Sequence, residues 1–444
     1  MVNNLYIYNN WNNFGGISIL NKKYILYGLG IGNLSVKEFF EKNNVKYAEY
    51  IDGKDIPNSI FNDIDYVIKS SGIKFNTLFL NKAIENNIKV ISDLELYYLL
   101  NKEDELIIVT GTNGKTTTST LISNLLNDQK ICTSGVYGNI GTPLLSKQEN
   151  GLTIIEASSF MLHNCYKIKP HIYLITSLIP HHLDYHIKEE DYFYDKLKII
   201  NNMEKEDYLI YNLDYENITK NLNNPKCKIL TYSLCNSNAD IYIEGNNVIF
   251  NNNEIMSIED INRNEPHNLE NMLATILVGI IYNIDFNNIK KSLINFKGIE
   301  HRLEYIIEND NYIIINDSKS TSPASLEKAI DSIKIKNYND YFKILILGGK
   351  IVDENYRDVN KRISIFDNIF IFGKDKFKYY KYIKHDFIFA FDSLDDLIVF
   401  IKNKIKKPLL VLFSPSSPSY DLYDNFEKRG EHLKNLIFYH NFCK

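Results

Sequence analysis

The chain is poor in cysteine and lacks the spacings that cysteine chemistry needs. Its 444 residues include five cysteines, Cys132, Cys165, Cys227, Cys235 and Cys443. No two of them form a C-x-x-C pair or a zinc-binding spacing, and their odd number argues against the disulfide framework of a secreted protein. We therefore expect reduced thiols and no structural zinc.

Long apolar runs and a strong excess of one charge are also missing. No run of about 18 apolar residues occurs, and the opening MVNNLYIYNNWNNFGG has neither a basic nor an apolar signal region. The formal net charge of −5 gives no sign of a nucleic-acid-binding or membrane-binding surface. With 44% hydrophobic and 24% charged residues, the sequence predicts a cytoplasmic small-molecule enzyme of about three domains.

The stretch IIVTGTNGKTTTSTLISNLL, residues 107–126, carries the clearest motif. An apolar run leads into a glycine-rich loop, and the residues after the loop have helical spacing. Free N–H groups at a helix start favour an anion, glycines allow close approach, Lys115 adds a charge, and the Thr116 hydroxyl can reach Mg²⁺. The motif, a short variant of the P-loop, predicts an ATP site; the alternative is a Gly-Asn turn with a solvated lysine. The predicted ATP-binding residues here are Gly111, Thr112, Asn113, Gly114, Lys115, Thr116 and Thr117.

The first block of the chain has the pattern of a dinucleotide-type β/α unit. The apolar run before Gly28-Leu29-Gly30 predicts a strand and a turn, although Asn33 stands where the third glycine is expected. Asp52 follows at the distance typical of a ribose-binding carboxylate. The segment DYVIKSSGI ends in residues 70–72, a small polar turn suited to uracil or phosphate contacts. A Rossmann-like half without any ligand is the alternative.

In the central block, from about residue 102 to residue 297, polar residues repeatedly follow apolar strand-like runs. Glu156 ends one run, His182 and Asp184 follow another, and Lys196 lies in the next predicted helix. Ligands bind at this carboxyl edge in open α/β sheets, and hard oxygen donors suit Mg²⁺. The His-His-x-Asp run is equally compatible with a surface turn after Pro180.

The third block, from about residue 298, predicts another doubly wound β/α sheet. Residues 312–315 read as a strand, residues 316–319 as its polar carboxyl-end turn, and Thr321 to Pro323 as a helix start. Further apolar runs follow in KILILGGK, IFIFGKD and LLVLF.

These segments, taken in order, resemble the Mur ligases, the ATP-dependent amide-forming enzymes that build the peptidoglycan peptide stem. The segments that carry the resemblance are GLG, SSGI, TGTNGKTT, GNIG, EASSF, HHLDYH, DKLKI, HNLEN, HRLE, NDSKST and SPSSPSYDLYDNFEKRG. Folylpolyglutamate synthases share the central loop. The segments HRLE, NDSKST and NFEKRG are most similar to the members that join D-glutamate to UDP-N-acetylmuramoyl-L-alanine.

The resemblance implies a three-domain α/β fold. A Rossmann-like domain that binds the UDP sugar would span residues 1–100, and a central P-loop ATPase-type domain with a mostly parallel sheet would span residues 101–298. A C-terminal Rossmann-like domain that binds the amino acid would span residues 299–444. It further implies a monomer.

The resemblance also assigns roles to single residues. Lys115, His182 and Lys196 become catalytic, and ATP gains further contacts at Asn268, Asn271, Arg302 and Asp317. The implied metal residues are Thr116, Glu156, His182 and Lys196, for two Mg²⁺. Lys196 is expected as its N-carbamate, because a bare ammonium would repel the ion whereas a carbamate offers it an anionic oxygen. The implied UDP-sugar residues are Asp52, Ser70, Ser71, Gly72 and Asn139, and those for D-glutamate are Lys319, Thr321, Lys350, Ser419 and Phe426.

Two positions depart from the family pattern. Met161 replaces the usual glutamine of the EASSF segment, and Val352 stands where the family has a lysine that holds the amino-acid carboxylate. Lys350 is the candidate to replace that lysine.

The implied reaction passes through an acyl phosphate that D-glutamate then attacks. Two alternatives stay open: a related Mur or folylpolyglutamate-type ligase with another acceptor, and a nucleotide-sugar-binding ATPase that does not ligate. The combination of His182, Lys196 and Asp317 argues against the second, because an ATPase switch needs no acyl-phosphate site.

Overall fold

The structure is a computed structural model that describes residues 19–53, 55–132, 135–139, 142–147, 149–182, 185–186, 188–261, 266–296, 298–335, 338–405 and 408–442. The chain divides into two compact units, Met1–Phe296 (unit 1) and Lys297–Lys444 (unit 2). The predicted α/β class with mostly parallel sheets is confirmed. The three predicted domain ranges stay a prediction, although unit 1 contains two separate sheets.

The first sheet of unit 1 has four parallel strands in the order β2-β1-β3-β4. Its strands are β1 (Tyr24–Tyr27), β2 (Tyr47–Tyr50), β3 (Tyr66–Lys69) and β4 (Lys89–Ile91). Its helices are α1 (Ile31–Lys42), α2 (Leu78–Glu85) and α3 (Asp93–Leu100). Hydroxyls cap two of these helices, because Thr77 accepts from the Leu80 N–H and Ser92 from the Glu95 N–H.

The second sheet has nine strands in the order β13-β12-β11-β10-β9-β8-β5-β7-β6. Strands β6 to β11 pair in parallel with their neighbours and with β5, whereas β12 and β13 complete an antiparallel edge. The strands are β5 (Leu106–Thr110), β6 (Val136–Gly138), β7 (Thr153–Glu156), β8 (Ile172–Ile175), β9 (Tyr208–Asn212), β10 (Lys228–Ser233), β11 (Ile241–Glu244), β12 (Asn247–Phe250) and β13 (Asn253–Ser257). The central strands β5, β7 and β8 are buried throughout, as their unbroken apolar runs require.

Helices connect and cover these strands. They are α4 (Lys115–Asp128), α5 (Ser159–Leu162), α6 (Glu189–Leu197), α7 (Glu216–Asn221), α8 (Pro266–Ile281) and α9 (Phe286–Asn295). A Cβ at Gly279 of α8 would lie 2.7 Å from Ile289 Cδ1 and 3.2 Å from Leu125 Cδ2. The close packing of α4, α8 and α9 therefore depends on glycine at that position.

Unit 2 holds a six-stranded sheet in the order β14-β15-β19-β16-β17-β18, parallel except for β14. Its strands are β14 (Glu304–Glu308), β15 (Tyr312–Asn316), β16 (Phe342–Gly348), β17 (Asn368–Phe372), β18 (Ile388–Phe391) and β19 (Leu409–Ser416). Its helices are α10 (Pro323–Ile335), α11 (Arg357–Asn360), α12 (Tyr379–Tyr382), α13 (Leu394–Lys404) and α14 (Phe426–Tyr439). Apolar clusters fill both faces of this sheet.

The parallel strand order brings together the loops at the carboxyl ends of adjacent strands, and these loops carry the candidate site residues. In unit 1, the loops that follow β5, β7 and β8 share one edge. In unit 2, the loops that follow β15, β19 and β16 do the same. Among the described residues, no helix is both long and apolar enough to cross a bilayer.

Candidate active site

The phosphate loop joins β5 to α4 and requires its glycines. Gly111 has φ of +143° and Gly114 has φ of +82°. A Cβ at Gly111 would lie 2.0 Å from Thr176 Oγ1, and one at Gly114 would lie 2.6 Å from Asn271 Oδ1. Both the backbone conformation and the close approach of neighbouring side chains therefore exclude larger residues here.

Residues after β8 hold the loop in place. The Thr112 N–H donates to the Ser177 carbonyl (3.0 Å), and the Asn113 N–H donates to Ser177 Oγ (2.9 Å). The Thr176 hydroxyl donates to the Asn113 carbonyl, and the Thr112 hydroxyl donates to the Ile179 carbonyl (2.9 Å). Thr176 and Ser177 were not predicted as site residues, although their place after an apolar strand was the available signal.

Lys115, the first residue of α4, is turned back onto the loop. Its Nζ donates to the carbonyls of Gly111 (2.8 Å) and Thr112 (3.0 Å). Thr116 and Thr117 follow in the first helical turn and are 9% and 7% exposed. The predicted lysine and hydroxyl therefore stand together at the start of α4, the end of a helix that attracts anions.

Lys196 of α6 reaches the same loop. Its side chain is 1% exposed, and its Nζ donates to the Gly111 carbonyl and to Thr110 Oγ1, both at 3.0 Å. Burial, followed by the charge of Lys115, holds the pKa of Lys196 well below its ordinary value, although Glu156 and Asp195 oppose this. The environment thus favours the neutral amine.

Glu156 ends β7 with one carboxylate oxygen unsatisfied. The residue is 1% exposed, and its Oε1 accepts a hydrogen bond from Asn139 Nδ2 at 2.9 Å. Its Oε2 has no hydrogen-bond partner in the described part of the chain. A buried carboxylate oxygen without a donor is costly, and it suits a hard cation such as Mg²⁺.

The predicted metal residues do not form a ready-made cluster. Within the described ranges, no group of three His, Cys, Asp or Glu side chains is arranged to hold a metal. The predicted set of Thr116, Glu156, His182 and Lys196 contains only two residues of those types. The buried Oε2 of Glu156, which has no hydrogen-bond partner among the described residues, is the atom of this set that best fits a metal ligand.

His182 lies on the surface near the segment that follows Glu156. It has φ of +56° and is exposed, and its ring centroid is 4.8 Å from that of Phe160. Residues 183 and 184, and with them the predicted Asp184, lie outside the described residues.

The two predicted adenine residues lie one turn apart on α8. Asn271 is 4% exposed and accepts a hydrogen bond from the Thr118 hydroxyl (3.0 Å), whereas Asn268 is partly exposed. Between them, Glu270 accepts from Asn212 Nδ2 (3.2 Å), and burial raises the pKa of Glu270 to about 7. Glu270 lies within the HNLEN segment, but no role was predicted for it.

Two loops of the first sheet meet where the UDP-sugar residues were predicted. A Cβ at Gly30 would lie 2.4 Å from Ser70 Oγ. The Ile73 N–H donates to the Ser70 carbonyl (3.1 Å), which closes a turn with Ser71 and Gly72 exposed at its tip. Residues 70–72 and the Gly28–Gly30 loop are therefore neighbours.

The other two predicted UDP-sugar residues have partners of their own. Asp52, exposed after β2, accepts a hydrogen bond from the Tyr27 hydroxyl. Asn139 is exposed and bonds Glu156, as described above. Neither of these hydrogen bonds joins its residue to the Ser70 turn, so the predicted role of Asp52 and Asn139 in binding the UDP sugar stays a prediction.

Asn33, which stands where the third glycine is expected, makes hydrogen bonds to β1, to the loop after β1 and to β3. It is 1% exposed, and its Nδ2 donates to the carbonyls of Tyr27 (3.2 Å), Gly28 (2.8 Å) and Ile68 (3.0 Å). The departure from the glycine pattern thus adds a bridge between β1, its loop and β3.

In unit 2, Asp317 follows β15 and is 6% exposed. Its Oδ2 accepts from the Ser414 hydroxyl (2.8 Å) and its Oδ1 from the Leu303 N–H (3.2 Å). Burial raises the pKa of Asp317 to about 7, although the charges of Arg302 and Arg429 oppose this. The predicted phosphate and ribose residues, Arg302 and Asp317, therefore lie close enough to interact.

The predicted D-glutamate residues gather around the ends of β15, β16 and β19. Lys319 Nζ is 5.9 Å from the centre of the Phe426 ring. The Lys350 N–H donates to the Pro418 carbonyl (2.8 Å), which places exposed Lys350 beside buried Ser419. Thr321 is exposed just before α10.

Arg429, a residue that was not singled out, holds the loops of this region. It is fully buried and donates to Ser318 Oγ (3.1 Å), the Ser318 carbonyl (2.7 Å) and the Ser417 carbonyl (2.9 Å). Because Ser318 and Ser417 belong to different loops, Arg429 fixes the spacing between the Asp317–Lys319 turn and the Ser419 loop.

Comparison with known proteins agrees with this arrangement. Residues 109–279 match the Mur ligase middle domain. A UDP-N-acetylmuramoylalanine--D-glutamate ligase from Streptococcus agalactiae is 33% identical over 378 residues, covering 83% of this chain and 82% of the relative. Its namesake from Caldicellulosiruptor saccharolyticus is 29% identical and covers 95% of this chain and 99% of the relative.

Solved structures share the fold at low identity. The UDP-N-acetylmuramate-alanine ligase from Thermotoga maritima has a TM-score of 0.60 at 17% identity, covering 96% of this chain and all of that one (100%). The chain belongs to the Mur ligase family, as its ordered motifs predicted.

Proposed function

We propose that this chain is the ligase that joins D-glutamate to UDP-N-acetylmuramoyl-L-alanine, with cleavage of ATP to ADP and phosphate, for peptidoglycan precursor synthesis. The relatives at about a third identity carry that name over more than four-fifths of their length. The observation that supports the chemistry best is the convergence of Lys115 and Lys196 on one carbonyl, that of Gly111.

The first step transfers a phosphoryl group. A carboxylate oxygen of the alanyl group attacks the γ-phosphorus of ATP, the bond to the β,γ-bridging oxygen breaks, and ADP leaves with that oxygen. Lys115 offsets the charge that develops on the phosphoryl oxygens, a role that we extend to Arg302 by family resemblance. Mg²⁺, when bound, neutralises phosphate charge and orients the oxygens.

The second step forms the amide. The neutral amine of D-glutamate attacks the acyl carbon, the C–O bond to phosphate breaks, and the amine proton passes to solvent or to phosphate. The acceptor carries two carboxylates, each of which needs a cationic or N–H donor, because a buried unpaired charge costs several kcal/mol. We assign this binding to Lys319, Lys350, Thr321, Ser419 and Phe426. Lys350 would take the place of the family's lysine, which is Val352 in this chain.

Carbamylation of Lys196 is part of the proposal. A neutral amine is the form that adds CO₂, and burial, which lowers the pKa of Lys196, favours that form. The added carboxylate would share Mg²⁺ with Glu156 Oε2, Thr116 and His182, in a set that could serve two ions.

ATP would contact Asn268 and Asn271 through adenine and Asp317 through ribose, and the UDP sugar would contact Asp52, Asn139 and residues 70–72. We further propose a cytoplasmic monomer.

The test is phosphate release by the purified full chain with ATP, Mg²⁺ and a panel of acceptors and nucleotide sugars. We expect release only with UDP-N-acetylmuramoyl-L-alanine and D-glutamate together, with L-glutamate inactive and with one amide product per phosphate by mass spectrometry. Release with a folate acceptor would identify the folylpolyglutamate-type alternative. Release that needs no amino acid would identify an ATPase that does not ligate.

A further inference from the structure

Lys69, the last residue of β3, is a buried lysine that the proposed chemistry does not use. It is 2% exposed and directly precedes Ser70. Lysine is seldom fully buried unless its charge is satisfied, so the contacts of its ammonium group indicate what the residue does.

The ammonium group of Lys69 has three hydrogen-bond acceptors. Nζ donates to the carbonyls of Ser70 (3.1 Å) and Ile73 (2.8 Å) and to the hydroxyl of Tyr185 (2.9 Å). A protonated lysine has three N–H donors and no acceptor, so this arrangement uses the charged form completely. The rings of Phe75 and Tyr185 lie 5.9 Å and 5.6 Å from Nζ and add cation–π attraction.

Two of these acceptors are the first and last carbonyls of the turn that holds residues 70–72. Ser70 and Ile73 are already joined by a backbone hydrogen bond. Lys69 binds both ends of that turn at once, so it sets the angle at which Ser71 and Gly72 are presented.

Tyr185 reinforces the turn from the central part of unit 1. Its hydroxyl accepts from Lys69 and donates to the Ile73 carbonyl (2.6 Å), with the Ser71 carbonyl at 3.2 Å. Tyr185 lies three residues after His182 in sequence. The pair thus links the turn of the first sheet to the segment that follows β8.

We propose that Lys69 is a positioning residue that, together with Tyr185, holds the Ser70–Ile73 turn in the shape that binds the uridine end of the nucleotide sugar. This inference rests on the proposed function, since it takes the turn to be part of that binding site. Neither residue belongs to the predicted site set, and neither needs to touch the reacting atoms.

The charges around Lys69 make its role sensitive to pH. Burial lowers the pKa of Lys69 to about 8, while Asp93 at the start of α3 and Asp195 on α6 raise it. The Nδ1 atoms of His163 and His186 lie 2.7 Å and 3.5 Å from Asp195 Oδ2. Burial raises the pKa of Tyr185. Above pH 8 the ammonium group loses a proton and one donor, so the turn should loosen there.

The test compares KM values for UDP-N-acetylmuramoyl-L-alanine and ATP in Lys69→Met, Tyr185→Phe and the double variant. We expect Lys69→Met to raise the KM for the nucleotide sugar about 10-fold or more and Tyr185→Phe about 3-fold, with the KM for ATP within about 2-fold. The double variant should resemble Lys69→Met, because both residues act on one turn. Lys74→Met, which removes an exposed lysine of the same segment, is the matched control and should change nothing.

The pH dependence separates positioning from a general loss of stability. The wild-type KM for the nucleotide sugar should rise as pH increases through 8, whereas Lys69→Met should lack that rise and Lys69→Arg should shift it to higher pH. Additive effects in the double variant, or equal changes in both KM values, would overturn the inference. If Lys69→Met does not fold, Tyr185→Phe decides, and an unchanged KM for the nucleotide sugar refutes the proposal. Wild-type protein that ligates no D-glutamate would refute the proposed function instead.

Discussion

Replacing Asp317 by asparagine should stabilise unit 2 and weaken ATP binding at the same time. The carboxylate is almost fully buried, and it accepts hydrogen bonds from the Ser414 hydroxyl and the Leu303 N–H. Asparagine has the same shape. Its oxygen can accept from Leu303 and its NH₂ can donate to Ser414, so the substitution removes a buried charge without opening a cavity.

The size of the effect follows from the raised pKa. Burial takes the pKa of Asp317 from 3.8 to about 7. Because the folded-state pKa is the higher one, the contribution of this group to stability is complete below pH 3.8 and is lost as pH rises through 7. At about 1.4 kcal/mol per pH unit, the stabilisation of Asp317→Asn has an upper limit of about 4 kcal/mol at pH 8 and about 2 kcal/mol at pH 5.5.

Hydrogen exchange of the full chain measures the stabilisation by Asp317→Asn for unit 2 alone. Peptides that cover β15 and β19 report its opening free energy, and a gain of about 2 kcal/mol corresponds to roughly 30-fold slower exchange. The advantage of the variant should grow between pH 5.5 and pH 8. The matched control is Asp310→Asn at an exposed position of the same unit, which should leave exchange unchanged.

Steady-state kinetics supply the second readout. Loss of the anionic acceptor for the ribose hydroxyls should raise the KM for ATP about 10-fold. A variant that is less stable than wild type at pH 8, or whose advantage shrinks with rising pH, would refute the burial argument. A stabilised variant with an unchanged KM for ATP would show that Asp317 does not bind the nucleotide.

Four further variants test the remaining assignments. Lys115→Ala should abolish ATP-dependent phosphate release while circular dichroism shows an intact fold, and turnover at the wild-type rate would remove the phosphate-loop assignment. Lys196 should gain the mass of one CO₂ in an active preparation, and Lys196→Ala should regain part of its activity with a short added carboxylate; a bare amine in active enzyme would contradict this. Lys350→Ala should raise the KM for D-glutamate much more than that for ATP, because we propose that Lys350 replaces the family's carboxylate-binding lysine. An unchanged KM for D-glutamate together with a total loss in Lys319→Ala would assign the role to Lys319 alone.

Local patterns were enough to predict the phosphate loop. An apolar strand, a glycine loop and a helix start lie within a short stretch of chain, and the structure places β5, Gly111 to Gly114 and α4 accordingly. Likewise, residues 316–319 were expected as a polar turn at the carboxyl end of a strand over residues 312–315. The structure places Asn316 as the last residue of β15 and Asp317 to Lys319 directly after it. In each case the residues that set the conformation are neighbours in sequence.

The partners that hold these loops could not be predicted in the same way. Lys69 and Tyr185 are 116 residues apart, and Arg429 meets Ser318 across 111 residues. In sequence, Lys69 resembles an ordinary solvent-facing lysine at a strand end, and Arg429 resembles a surface residue of a charged helix. Only the packed structure shows that burial leaves each cation dependent on backbone carbonyls.

The Nζ atoms of Lys115 and Lys196 both donate to the Gly111 carbonyl. Because the two side chains share this acceptor, the charge of Lys196 determines whether they repel each other. If both were ammonium groups they would repel each other in a buried setting where screening is weak. Neutral Lys196 removes that repulsion, and a carbamate reverses its sign. The same modification would add an oxygen donor near Glu156, whose Oε2 is buried without a hydrogen-bond donor among the described residues. The proposed carbamylation would therefore meet two electrostatic requirements of one loop, and loss of Lys196 should weaken the binding of Mg²⁺ and of triphosphate together.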